Sequence, residues 1–168
     1  MTRRPNLGFL HLVPFARDTP RQGLEEGIEL FRHAEALGFD SGWVRTRHMQ
    51  YGLPSPVSFF SAVSQHTERI GLGSAVIPVG HENPFRLAED LGTADSFAGG
   101  RVLAGVSVHP PGYGDDAVND LVFDSGWRDE DYGYGRIDRL RSLLAGDPVR
   151  EIPEYIGFGG DFDSERVE

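Results

Sequence analysis

The chain has 168 residues, 39% of them hydrophobic, and it contains no cysteine. It is long enough to bury a sizeable core, and it cannot form disulfides, thiolate metal sites or a thiol nucleophile. Its formal net charge of −10 argues against a nucleic-acid partner, because such partners require clustered Lys and Arg. No apolar run reaches the length of a membrane span. His11 and Pro14 interrupt the first apolar run, which predicts a cytoplasmic protein with no secretion signal and no membrane partner.

The first seventy residues alternate between strand-like and helix-like segments. Strands are predicted over residues 7–13 and 39–44, where apolar residues of strand type dominate. Thr19, Pro20 and Gln22 predict a helix start with a capping box, and Gly38 predicts the helix end. The buried stripe of this helix is expected to comprise Leu24, Ile28, Phe31 and Leu37. Ser55 and Pro56 predict a second helix to residue 66, with core residues Phe59, Phe60 and Val63.

Residues 68–111 predict one complete strand–helix–strand unit. Strands rich in Val, Ile and Leu are expected over residues 70–79 and 102–108. Between them, Asn83 predicts an N-cap and Pro84 the first helical residue, while Gly99 predicts the helix end. Asp95 is expected to face water. The apolar stripe of this helix comprises Leu87, Ala88, Leu91, Ala94 and Ala98.

The predicted strands begin near residues 7, 39, 70 and 102, so one strand and one helix recur with a regular period. Repeated β/α units form an open doubly wound sheet or a closed (β/α)8 barrel. The first βα turn lacks the G-x-G-x-x-G of a dinucleotide-binding sheet, so the expected fold class is α/β with the parallel units of a TIM (β/α)8 barrel. Because a full barrel takes roughly 250 residues, the chain is predicted to be one domain that holds the first half of a barrel.

Within this single domain, residues 1–108 hold the four predicted strands and three helices. Residues 109–131 are predicted to be a long loop rich in Gly, Pro and Asp. A helix is expected over residues 132–146, with Ile137, Leu140 and Leu144 buried, and an irregular tail over residues 147–168.

Four histidines follow successive predicted strands: His11, His48, His81 and His109. Active sites of β/α barrels form where the C-terminal ends of the strands converge, so these side chains are candidates to line one cavity, although each could equally bond its own loop. A metal-dependent hydrolase is one interpretation. It usually requires a paired His-x-His on the first strand, whereas Leu12 and Val13 follow His11. No metal ligand is therefore predicted.

Small residues on the third and fourth predicted strands admit two interpretations. Gly73, Ser74, Gly105 and Ser107 could let a planar ligand approach the backbone closely, or they could alternate with large side chains inside a barrel. In the loop after the second strand, Arg45 and Arg47 form a cationic segment that could bind an anion or a reduced cofactor, or could simply be solvated.

Three segments together resemble the bacterial-luciferase-like, flavin-dependent monooxygenases. They are WVRTRHMQYG, TERIGLGSAVIPVGHENPFRLAEDLGTADSFAGGRVLAGVS and the helix predicted from residue 132 to residue 144. The resemblance covers nearly the whole chain up to that helix. It implies a (β/α)8 barrel, commonly dimeric, that uses reduced FMN, or in some members a deazaflavin, with molecular oxygen on a small organic substrate.

The resemblance also implies which residues contact the cofactor. In the family the end of the third strand passes beneath the flavin, so Ser74, Ala75 and Val76 are expected to contact it, with a non-prolyl cis peptide there. Ser107 and His11, at the ends of neighbouring strands, complete the expected cofactor site.

Catalytic roles are expected in the loop after the second strand. Many family members have Glu-His-His where this chain has Thr46-Arg47-His48, and the histidine that acts in luciferases aligns with Arg47. The resemblance implies His48 as a proton donor or base and Arg47 as a cation that stabilises an anionic flavin.

Two alternatives to a flavin-dependent oxidoreductase remain at this point: a non-enzymatic flavin-binding or interaction module, and the metal-dependent barrel hydrolase. A half barrel exposes strand edges and one apolar face, so a homo-oligomer, most simply a dimer, is expected.

Overall fold

The computed structural model describes residues 4–108, 116–123, 127–129 and 132–147. Two short 3₁₀ helices, Val79–His81 and Trp127–Asp129, lie among the regular elements. In chain order, the strands and α-helices are β1 Gly8–His11, α1 Pro20–Ala36, β2 Ser41–Val44, α2 Pro56–Ser64, β3 Gly71–Ser74, β4 Ile77–Pro78, α3 Pro84–Ala98, β5 Val102–Leu103, β6 Val106–Ser107, α4 Asp116–Phe123 and α5 Tyr134–Leu144.

The main sheet has four strands in the order β1-β2-β3-β5, and every pairing in it is parallel. A second, two-stranded parallel sheet pairs β4 with β6. Each strand of the main sheet follows its neighbour through a helix, as a parallel sheet requires. The predicted fold class of parallel β/α units is confirmed.

Two of the predicted strands are each divided in the structure. The strand expected over residues 70–79 becomes β3, β4 and a 3₁₀ helix, and the strand expected over residues 102–108 becomes β5 and β6. The break lies where Ser74 and Gly105 meet: the Ser74 hydroxyl donates to the Gly105 carbonyl at 2.9 Å and accepts from the Gly105 amide at 3.0 Å. A side chain therefore replaces the backbone ladder at this point.

Helix α1 departs from its predicted details at both ends. Thr19 makes no side-chain cap bond, and the Gln22 amide donates instead to the Glu26 carboxylate at 2.8 Å, so the predicted capping box is wrong. Leu37 is 78% exposed because the helix ends at Ala36 and the chain turns away. Gly38 follows with a φ of +87°, as its role at the helix end requires.

The helix starts predicted around the two prolines of α2 and α3 are confirmed. The Asn83 side chain accepts from the amides of Phe85 at 2.9 Å and Arg86 at 3.2 Å. The Ser55 hydroxyl caps α2 more weakly, at 3.5 Å from the Ser58 amide. Asp95 does not face water as expected, because its carboxylate accepts from the Val102 amide at 2.9 Å and so joins α3 to β5.

The core lies between the helices and one face of the sheet. Phe31 contacts Phe9 and Phe59 edge to face, with ring centroids 5.0 and 5.8 Å apart. Gly42 on β2 makes room for these rings, because a Cβ there would lie 2.4 Å from Phe31. A second apolar cluster joins α3 to α5 and comprises Ile77, Val79, Leu87, Leu91 and Leu140.

The segment predicted as one long loop over residues 109–131 contains α4 and a 3₁₀ helix. The reason is visible in the sequence: Val118 and Val122 recur at helical spacing after Asp116, which favours a helix N-terminus. The helix expected over residues 132–146 is α5, although Leu144 is exposed rather than buried. His109 and the tail predicted after residue 147 lie outside the described residues.

Across the described ranges, none of the helices combines the length and the apolar character that a membrane crossing requires.

Candidate functional site

The C-terminal ends of the main strands are bonded to one another in sheet order. The Arg45 amide donates to the His11 carbonyl at 3.2 Å, which joins the ends of β1 and β2. The Ala75 amide donates to the Val44 carbonyl at 2.8 Å and joins β2 to β3. The residues that follow β1, β2 and β3 therefore share one edge, which is where β/α folds build their sites.

The open face of the sheet is covered in part by Trp43. A Cβ on Gly73 would lie 2.3 Å from two carbons of the Trp43 indole, so the ring occupies the space above this glycine. The indole N–H donates to the Ser41 hydroxyl at 3.0 Å. Gly105 is small for a different reason, since its Cβ would lie 2.2 Å from the Ser74 carbonyl oxygen. Of the two interpretations of the small residues, the alternation of small and large side chains accounts for Gly73.

The two serines of the predicted cofactor site are placed differently. Ser74 is fully buried, and its hydroxyl is engaged with the backbone of Gly105. It contributes to the site by fixing the strand end rather than by presenting its side chain. Ser107 lies on β6 opposite Pro78 and is half-buried.

Ala75 and Val76 form the link between β3 and β4. The peptide bond between them is cis, as expected from the resemblance. Thr46 holds this link from the neighbouring loop, because its hydroxyl donates to the Val76 carbonyl at 2.7 Å. The Val76 side chain is 38% exposed, so an apolar surface is presented directly beside the loop that carries His48.

His48 stacks on His81, a contact between two of the four histidines that follow the strands. The ring centroids are 4.7 Å apart and the planes differ by 8°. The His48 Nε2 atom is buried and has no hydrogen-bond partner among the described residues. Burial lowers the pKa of His48 below its ordinary value, which favours the neutral imidazole.

His11 and Arg47 are held by their own loops. The Nδ1 atom of His11 accepts from the Val13 amide at 3.2 Å, and burial lowers the pKa of this histidine as well. The Arg47 amide donates to the Leu53 carbonyl at 2.8 Å, which closes the loop after β2. Its side chain is half-buried.

A cleft of about 870 Å³ opens beside His81, between the start of α3 and helices α4 and α5. Glu82 lies in its wall, and burial together with the negative charge of Asp90 raises the pKa of this carboxyl. Phe123 and Tyr132 also line the cleft.

Arg136 lies in the same cleft, and the sequence analysis did not identify it. It is 8% exposed, donates to the carbonyls of Val79 and Glu82, and its guanidinium carbon lies 4.5 Å from the centre of the Tyr132 ring. Its position four residues before Leu140, on the buried face of α5, was the available signal.

No group of three or more His, Asp or Glu side chains with metal-binding geometry occurs among the residues that the structure describes. The geometry therefore gives the metal-dependent hydrolase no support there.

The sequence model of the luciferase-like monooxygenase family matches residues 6–116, which is more than half of the chain. The chain belongs to this family.

Relatives of this luciferase-like chain include both monooxygenases and dehydrogenases. Limonene 1,2-monooxygenase of Rhodococcus erythropolis is 30% identical over 136 residues, which are 79% of this chain and 34% of that protein. The F420-dependent glucose-6-phosphate dehydrogenase of Amycolatopsis mediterranei is 28% identical over 158 residues, which are 89% of this chain and 44% of that protein.

A solved structure shares the luciferase-like fold. The oxygenating constituent of 3,6-diketocamphane monooxygenase from Pseudomonas putida, solved in complex with FMN, matches with a TM-score of 0.62 at 21% identity. The match covers 83% of this chain and 37% of that one. This chain thus spans less than half the length of each of these three proteins.

The described residues of this luciferase-like chain fit a planar, mostly apolar ring at the shared strand edge. Val76 offers exposed apolar surface. On the open face of the sheet, Leu10, Trp43 and Leu103 are aligned across β1, β2, β3 and β5 through Gly73. His48 adds one buried polar atom without a partner among these residues. Flavin rings combine an apolar surface with a few polar atoms, so this combination of apolar side chains and one polar atom suits them.

Proposed function

We propose that the chain supplies the flavin-binding part of a flavin-dependent oxidoreductase, a monooxygenase that uses reduced FMN and molecular oxygen on a small organic substrate. The observation that carries this proposal is the His48 Nε2 atom, buried and unpartnered among the described residues, on the edge that also presents Val76. A buried polar atom of this kind costs free energy, about 1–3 kcal/mol, and in a native site it calls for a functional explanation.

The cofactor would be held chiefly at the link between β3 and β4. Ala75 and Val76 would contact the ring, while Ser74 supports them through its bonds to Gly105. Ser107 and His11 would border the ring from the flanking strand ends. Thr46 keeps the link in place through the Val76 carbonyl.

Reduced flavin, when bound, supplies the electrons that activate molecular oxygen. The protein's own contribution is orientation, exclusion of water and control of one proton. Because burial favours the neutral form of His48, we propose the role of base rather than donor: with its proton on Nδ1, the imidazole would accept a proton at Nε2 from a reacting group. Arg47, the residue before His48 in the loop, would supply the positive charge that stabilises an anionic ring.

The proposal is tested by single-turnover oxygenation. The purified protein is loaded anaerobically with reduced FMN and mixed with ¹⁸O₂ and a panel of small ketones and alkenes, and labelled product is measured by mass spectrometry. His48→Asn is expected to lower the product yield per turnover by about 100-fold. His66→Asn, at an exposed site beyond α2, is the matched control and should leave the yield unchanged.

The pH dependence of the product yield shows whether His48 acts as a base. A base whose pKa lies below its ordinary value of 6.5 gives a yield that rises with pH, with the midpoint of the rise below 6.5. A folded, flavin-loaded protein that transfers no label, or a His48→Asn variant as active as the His66→Asn control, would contradict the proposal.

A deazaflavin is the alternative cofactor, because the F420-dependent dehydrogenase matches 89% of this chain. With reduced F420 the expected chemistry is hydride transfer without oxygen. Reduced F420 that is consumed anaerobically in the presence of a ketone would favour this alternative over the monooxygenase.

A further inference from the structure

We propose that His81 is a positioning residue for His48: the His81 ring fixes the plane in which the His48 imidazole presents its Nε2 atom. The inference rests on the proposed role of His48, but it concerns a different residue on a different element. His48 belongs to the loop after β2, whereas His81 ends the 3₁₀ helix before α3.

The ring geometry restricts His48 on one face. Two five-membered rings 4.7 Å apart and within 8° of parallel leave little freedom for either to tilt, since tilting would drive ring edges into contact. His48 lies within the polar loop after β2 and precedes Met49, which has a φ of +55°. The stack is therefore a restraint on His48 from outside its own loop.

His81 can serve this purpose because a second ring also packs against it. Phe123 of α4 contacts the His81 ring edge to face, with centroids 4.9 Å apart and planes at 70°. Phe123 in turn lies 6.3 Å from the Tyr132 ring. Edge-to-face aromatic contacts are favourable beyond the area that they bury, so α4 helps to hold the His81 ring in place.

The backbone around His81 is fixed from α5 and α3. Arg136 donates to the carbonyls of Val79 and Glu82, which flank His81 in the chain. Asn83 then caps α3 through two amides. The 3₁₀ turn is thus held at both ends, and α4 and α5, which the sequence analysis did not connect with the site, support its proposed base.

Several charged groups lie on the elements that meet at this stack. Arg47 is in the β2 loop, Glu82 adjoins His81 and Arg136 lies on α5; Asp116 and Asp120 of α4 pair with Arg128. Burial is what lowers the pKa of His48, so the titration midpoint of His48 reports how well its ring is covered.

The test is an imidazole NMR titration of the purified chain without flavin, with the His48 resonance assigned by its loss in His48→Asn. His81→Phe keeps a flat ring and is expected to leave the His48 titration midpoint below 6.5, as in the unmodified protein. His81→Ala removes the stack and is expected to shift the midpoint upward, toward the ordinary value. Far-UV circular dichroism confirms that each variant is folded.

Two results would overturn the inference. One is a folded His81→Ala variant with an unchanged His48 midpoint. The other, which remains decisive if His81→Ala does not fold, is a His81→Phe variant whose midpoint already equals the ordinary value. In the oxygenation assay, His81→Phe should retain product yield and His81→Ala should lose about tenfold, less than His48→Asn.

The two proposals fail separately. The NMR titration needs no cofactor, so a midpoint that moves as expected in a protein that binds no flavin supports the positioning role and rejects the function. If the protein oxygenates substrate with flavin and neither His81 variant changes the product yield, the function is supported and the positioning role is rejected.

Discussion

At the scale of single residues, the indole of Trp43 determines which side chain the third strand can carry beneath it. Gly73→Ala would put a Cβ 2.3 Å from two carbons of this indole, so the ring must move. We expect a loss of about 1–3 kcal/mol in the free energy of unfolding, measured by urea denaturation. Gly92→Ala is the control, because Gly92 lies in α3 with nothing within 4 Å of its Cβ position, and it should stabilise by about 0.4–1 kcal/mol. Equal effects at both positions would contradict the assignment of Trp43.

Glu35 provides the pH dependence of stability. Its carboxylate accepts from the backbone amides of Glu68, Arg69 and Ile70, the latter two at 2.6 and 2.7 Å. Burial acts to raise the pKa of Glu35, but these three amides and the charge of Arg69 outweigh it and hold the pKa below its ordinary value. The stabilisation is therefore present above the ordinary value of 4.5 and is lost as the pH falls through the lower folded value.

Glu35→Gln should accordingly lower the free energy of unfolding by about 1 kcal/mol at pH 7, a modest loss because solvent screens this partly exposed group. The difference from the unmodified protein should vanish in acid. Glu26→Gln, at an exposed site of the same helix, should stay within about 0.5 kcal/mol. Urea denaturation at several pH values measures both, and a difference that grows as the pH falls would contradict the assigned sign.

Residue-scale prediction from sequence succeeded where the chemistry is local. Asn83 was predicted as a cap because an N-cap side chain accepts from amides two and three residues further along its own chain. The roles of Glu35 and Arg136 were missed because their partners lie 33 to 35 and 54 to 57 positions away. The spacing of Arg136 from Leu140 indicates that Arg136 is covered, but no spacing in the sequence identifies these partners. The stack of His48 on His81 is another contact between residues that are distant in the sequence, and it was missed for the same reason.

At the scale of elements, the starts of α1 and α3 allow a matched comparison. Asn83→Ala removes a side chain that accepts from two amides, and we expect about 1 kcal/mol of destabilisation in urea unfolding. Thr19→Ala removes a residue at the same position of α1 that makes no side-chain cap bond, so the expected change is within about 0.5 kcal/mol. A Thr19 effect as large as that of Asn83 would show that the cap bonds are not what stabilises the start of α3.

The boundaries of the elements show what periodicity can determine. Helix α3 was predicted with its cap, stripe and Gly99 end because each signal lies within a few residues. The division of β3 from β4 was not foreseen, because it depends on Ser74 meeting Gly105 across the sheet. Helix α4 was not predicted because the Gly- and Pro-rich residues before it favour a loop over residues 109–131.

At the scale of the whole molecule, the four-stranded parallel sheet is packed by helices on one side only in the described ranges. Leu10 and Leu103 are 59% and 42% exposed on its other face, aligned with Trp43 through the strand register. In a closed barrel such a face is interior. The chain spans less than half of the luciferase-like relatives it matches, and the homodimer expected from the sequence stays a prediction.

The architecture was accessible from the sequence because repeated β/α units have few possible arrangements. The site was accessible only in outline. The strand ends and His48 followed from topology and resemblance, whereas the supports of His48 come from tertiary contacts of α4 and α5.

The most direct test of a flavin site at these strand ends is an equilibrium titration of the purified, folded chain with FMN and, separately, with F420, followed by cofactor fluorescence. We predict saturable one-to-one binding of one of the two, weakened about tenfold or more, at least 1.4 kcal/mol, by Val76→Glu. Leu37→Glu, at an exposed leucine that follows α1, should bind as the unmodified chain does. No binding of either cofactor, or equal binding by the two variants, would contradict the site.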